Sequence, residues 1–94
     1  MPDDDRTDLR EAADELDAAR DETAADSEVA DRLESLAGQL RKMADADRGP
    51  DHGRLDRLTH DLRDAEAELD GEAVAAVGSA IAHVRAYRET VEGV

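Results

Sequence analysis

Hydrophobic residues recur along this chain in four stretches, and within each the spacing is helical. Leu9, Ala12, Ala13, Leu16, Ala19 and Thr23 follow one another mostly at three or four residues, which places them on one face of a helix starting near Thr7. Val29, Leu33, Leu36, Ala37, Leu40, Met43 and Ala44 predict a second helix, with Arg41 and Lys42 near its C-terminal end, where the helix dipole favours cations. Leu55, Leu58, Leu62, Ala65 and Leu69 keep a strict three-four alternation and predict a third helix from about Arg54 to Asp70. The fourth stretch breaks the pattern. Ala73 to Val84, AVAAVGSAIAHV, is twelve residues long and carries no formal charge if His83 is neutral, in a chain that is 40% charged.

Such a run must lie among other elements or face a partner, because its apolar area is wasted in water. Read as a helix it has two faces. Val74, Val77, Ala80, Ile81, Val84 and Val91 form the predicted core side, and Ala75, Gly78, Ser79, Ala82 and Ala86 form a strip of small residues nearly opposite. Small residues admit close approach of a second backbone, and Gly78 otherwise costs about 1 kcal/mol relative to Ala inside a helix. Helix propensity alone accounts equally well for the alanines.

The joints are less uniform than the helices. Between the first two stretches no Gly or Pro interrupts the chain, and Leu9, Leu16, Thr23, Ala30, Ala37 and Ala44 stay in heptad phase across it, so a continuous helix from Asp5 to Ala46 competes with a break or kink near Asp26. Asp26 and Ser27 are N-cap residue types, and a break between Ala24 and Ser27 is the favoured reading. Gly49-Pro50 and Gly53 end the second helix. At Gly71 the heptad of the third helix loses phase, which predicts a tight turn with Asp70 capping the fourth. The expected fold is all-α: one domain over residues 1–94, an antiparallel bundle of three or four helices with residues 1–5 as a frayed tail. In that topology the fourth helix returns to the Gly-Pro loop, so Tyr87, Arg88, Glu89 and Val91 should share one end of the bundle with Asp47, Arg48, Asp51 and His52.

Composition changes the picture in two ways. Nine Leu, six Val, one Ile, two Met and a single Tyr must fill the core without Phe or Trp, so the core is thin and self-association is favoured. Twenty-six acids against twelve Lys and Arg give a net charge of −14. Repulsion of that size is relieved where molar salt shrinks the Debye length to about 3 Å. The expectation is a chain built for high salt, whose surface carboxylates hold water and cations. The acidity counts against nucleic-acid binding. No apolar run is long enough for a membrane span and no signal-like N-terminal segment is present, so a cytoplasmic location is expected. The absence of Cys excludes disulfides and thiolate chemistry.

Two segments carry a resemblance. DADRGPDHGRL, Asp45 to Leu55, and AYRETVEGV, Ala86 to Val94, resemble the recurring signatures of a family of small acidic haloarchaeal proteins of unknown function. The resemblance implies a haloarchaeal, cytoplasmic origin and a helical fold, and transfers no catalytic residue.

Asp47, Asp51, His52, Tyr87, Arg88 and Glu89 offer enough chemistry at the shared end for acid–base or metal work. No catalytic or phosphate-binding motif accompanies them, however, and the loop is explained as a helix stop and start. His60 faces away from the Leu seam and His83 lies on a flank of the fourth helix; neither completes a metal triad by sequence. The reading is therefore a non-enzymatic interaction or structural module without a cofactor, associating with itself or with another protein. The competing readings are a small-ligand, cation or catalytic site at the shared end and an acidic mimic of nucleic acid.

Overall fold

A computed structural model describes residues 6–24, 26–46 and 52–92, with side chains described as far as residue 89. It contains four helices, α1 (Thr7–Asp21), α2 (Glu28–Asp45), α3 (His52–Ala67) and α4 (Gly71–Glu92), and no strand among the described residues.

The break between α1 and α2 is real, and local chemistry makes it. At the end of α1 the Thr23 hydroxyl donates to the Ala19 carbonyl at 2.8 Å, and the backbone N–H groups of Glu22 and Thr23 close onto Ala19 and Arg20. Ser27 then turns extended at φ −84° and ψ 154°, and its Oγ accepts the Ala30 N–H at 3.1 Å, an N-cap that starts α2. A continuous helix over this region would be about 60 Å long; the longest dimension of the molecule is 41 Å. The heptad phase survives the break all the same. Leu9, Leu16, Ala30, Ala37 and Ala44 are all buried, because the two helices fold back with the same face inward.

The joint between α3 and α4 is longer than the sequence suggests. Helix α3 ends at Ala67 rather than Asp70, and two tight turns, Glu68 N–H to Ala65 and Leu69 N–H to Glu66, carry the chain away while Leu69 still packs against the core. Gly71 opens α4 at φ +65°, a left-handed conformation that favours glycine and reverses the chain within a few residues.

The packed helix pairs are α1 with α2, α1 with α4, α3 with α4 and, more sparsely, α2 with α3. Ion pairs and hydrogen bonds fix their direction: Arg6, just before α1, and Arg10 in its first turn reach the last turn of α2, Arg20 meets Glu34, Arg32 meets Glu68, and Arg88 lies 3.6 Å from Asp56. One apolar cluster draws on all four helices and contains no charged side chain. The radius of gyration, 12.9 Å, is close to the roughly 12.4 Å expected of a compact chain of this length.

Helix α4 buries Val77, Ala80, Ile81 and Val84 of the predicted core face and corrects it at Val74, while the Val91 side chain lies outside the described residues. Ala73, Val77, Ala80, Val84 and Tyr87 are buried at four-three spacing with Ile81 beside them, whereas Val74 is only half-buried. The reason is that α4 packs against both α1 and α3, so its seam is centred on Val77, Ala80 and Val84, and Val74 falls on the flank. Tyr87 is a core side chain with 2% of its surface exposed.

Candidate functional site

Part of the small-residue strip of α4 faces away from the rest of the chain. Ala75 and Ala82 are exposed, and Gly78, Ser79 and Ala86 are half-buried. No neighbouring backbone presses on Gly78: a Cβ built there would meet only the Glu66 carboxylate, at 3.4 Å, an ordinary contact with the end of a flexible side chain. Ala75 and Ala82 therefore take no part in close packing within the chain, whereas Gly78, Ser79 and Ala86 are partly covered by it. From Ala73 to Val84 no Asp, Glu, Lys or Arg interrupts the strip, and charge returns only at Glu72 on one side and Arg85 on the other.

The shared end is described in part. Asp47, Arg48 and Asp51 lie outside the described residues. His52 is exposed at the start of α3, Tyr87 is buried in the core, and the half-buried Arg88 directs Nη1 toward Asp56 of α3. Arg88 thus lies beside the first turns of α3 and faces a groove lined by Asp56, Thr59, Arg63, Arg85 and Glu89, whereas Tyr87 packs in the core. His60 is exposed, with Nε2 3.6 Å from Asp64 one turn along α3.

A third grouping was not legible in the sequence. Asp8 and Glu11, three residues apart on α1, share a face of that helix, and the packing of α1 on α4 brings His83 between them. His83 Nδ1 lies 3.2 Å from Asp8 Oδ1 and 3.5 Å from Glu11 Oε1. The side chains of His83 and Asp8 are 29% and 35% exposed, so the group sits at the rim of the α1–α4 seam, open to water but held by buried neighbours: Leu9 and Ala12 on one helix, Ala80 and Val84 on the other. The only advance signal was a histidine flanking a core face and an acidic pair at helical spacing.

Elsewhere the charged surface is laced by arginines. Arg41 donates to Asp14 at 2.9 Å and to Asp17 at 2.6 Å, and its pKa is raised, first by the hydrogen bond to Asp17 and then by that to Asp14. The hydrogen bond from Arg32 to Glu68, at 2.6 Å, raises the Arg32 pKa likewise. No helix among the described residues is long and apolar enough to cross a membrane.

Neither a curated protein nor a solved structure matches the chain. Residues 4–90, which reach into all four helices, match the model of a family of unknown function, DUF7553, and the chain belongs to that family.

Proposed function

We propose that this protein is a self-associating structural module, an antiparallel four-helix bundle adapted to molar salt in the cytoplasm, whose α4 strip packs against the same strip of a second copy. The observation that carries this reading is the exposure of Ala75 and Ala82 on a helix stretch without charge, in a chain of net charge −14. Two copies approaching through most other faces oppose carboxylate to carboxylate. Through this strip they oppose methyl groups and a glycine, with one carboxylate, that of Glu66, beside Gly78 to swing aside as the backbones come close. The strip from Ala75 to Ala86 is about 16 Å long, which fits a small, concentration-dependent interface rather than an obligate one. No cofactor, nucleic acid or membrane enters this reading, and no catalytic role is assigned.

The test is mass in solution. Sedimentation equilibrium at about 2 M KCl, where repulsion is screened, should show a concentration-dependent rise from the 10.2 kDa monomer toward twice that value. Ala82→Glu should hold the monomer mass at every concentration with unchanged helical circular dichroism. A wild-type chain that stays monomeric throughout overturns the proposal.

A further inference from the structure

We propose that Asp8, Glu11 and His83 form a binding site for one divalent transition-metal cation, bridging the first helix to the last. The argument begins with the distances. A cation bound at about 2.1 Å by nitrogen and oxygen sets neighbouring ligand atoms about 3.0 Å apart at a right angle and about 3.4 Å apart at the tetrahedral angle. His83 Nδ1 stands 3.2 Å from Asp8 Oδ1 and 3.5 Å from Glu11 Oε1, and all three ligand atoms lie within 4.8 Å of one another. The two separations from the imidazole nitrogen, one of them a hydrogen bond in the absence of an ion, are close to those that a shared ion imposes, and the carboxylates lie near enough to join it.

The donor set selects the class of ion. Calcium and magnesium take oxygen ligands and gain nothing from an imidazole, whereas one nitrogen with two carboxylate oxygens suits manganese, iron, cobalt or zinc in the divalent state. This distinguishes the group from the many carboxylates of the surface, which meet cations through oxygen alone. The ligands are also supported. Asp8 and Glu11 project from the turns of α1 that bury Leu9 and Ala12, and His83 from the turn of α4 that buries Ala80 and Val84. The two carboxylates and the imidazole are therefore held by core packing and need little ordering when the ion arrives. The partial exposure of all three leaves room for water in the remaining coordination positions.

Cobalt(II) reports the site, because its visible absorption changes when nitrogen enters the coordination shell. The full chain is titrated with CoCl2 at about 2 M KCl with magnesium in excess, so that oxygen-only sites are screened or occupied. One equivalent should bind saturably with a nitrogen-ligated spectrum and raise the melting temperature by mass action. His83→Gln should abolish the spectral change, and Asp8→Asn should weaken binding about tenfold or more, while His60→Gln leaves it unaltered. Helical circular dichroism confirms that each variant is folded. The proposal is overturned if the wild type shows no saturable cobalt binding, or if His83→Gln binds with the same spectrum and affinity. Neither outcome depends on whether the chain self-associates.

Discussion

Arg6, the residue that precedes α1, donates through Nη1 to the carbonyl oxygen of Met43 at 3.0 Å, thirty-seven positions along the chain in the last turn of α2. It reaches the carbonyls of Ala44, at 3.4 Å, and of Ala46 as well. The final carbonyls of a helix lack intrahelical partners and carry the negative end of its dipole, so one guanidinium both satisfies and neutralises them. Arg10, one turn along, adds a contact to Asp45 at 3.0 Å.

Arg6→Ala should therefore destabilise the fold by about 1–2 kcal/mol, the worth of a partly exposed charge-assisted hydrogen bond. Arg6→Lys should recover part of this, since an ammonium supplies the charge but not the planar fork. Urea midpoints at molar KCl measure it. A midpoint unmoved by Arg6→Ala would show that water serves the α2 carbonyls as well as the guanidinium does.

Two glycines should respond to the same substitution with opposite signs. Gly38 is exposed inside α2, and a Cβ there would meet nothing within 4 Å; Gly38→Ala should stabilise by about 0.5–1 kcal/mol through helix propensity. Gly71 also has open space around its Cβ direction, but its φ is +65°. Gly71→Ala should cost about 1 kcal/mol or more, because the left-handed conformation strains any residue with a Cβ. If both variants melt higher, the turn into α4 does not need its positive φ.

The first three helices were readable because each has a single apolar face. Leu55, Leu58 and Leu62 admit only one inward direction, and all three are buried. The Ser27 cap was readable from residue type once a break was allowed. On α4 nearly every side is apolar, so the amphipathic signal is weak, and the choice between Val74 and Tyr87 for the seam was settled by α1 and α3 packing on either side. The Asp8, Glu11 and His83 group was invisible for a different reason. It joins positions seventy-five residues apart, and nothing in the spacing of one helix tells which turn of another it will meet.

Tyr87 is the largest fully buried side chain of the core, in a protein with no Phe or Trp to share the volume. Tyr87→Ala should cost about 3–5 kcal/mol, a large part of the stability of a domain this size. The loss should be global: amide exchange throughout α1, α3 and α4 should accelerate together. Acceleration confined to the last turns of α4 would assign Tyr87 to a local lid instead.

Salt acts on this chain through two opposed effects, and their magnitudes decide the sign. The exposed ion pairs, such as Arg20 with Glu34 at 3.0 Å and Arg41 with Asp17 at 2.6 Å, weaken as ions screen them, but each is worth only about 0–1 kcal/mol. Repulsion among 26 acids set against twelve Lys and Arg acts over the whole surface, and screening removes it. The thermal midpoint should therefore climb as KCl rises from about 0.1 M to about 2 M, where the Debye length falls from about 10 Å to less than 3 Å. Arg41 makes the test specific. Its raised pKa means that its contribution is present in full below the ordinary guanidinium range and is lost only above it, so salt, not pH, is the variable that reveals it near neutrality. Arg41→Ala leaves Asp14 and Asp17 facing each other without their shared cation. Its cost should be largest at low salt and should shrink toward zero at about 2 M KCl, where the Asp–Asp repulsion is screened. A midpoint independent of KCl, or an Arg41→Ala cost that grows with it, would mean that the acidic surface is not balanced by salt at all.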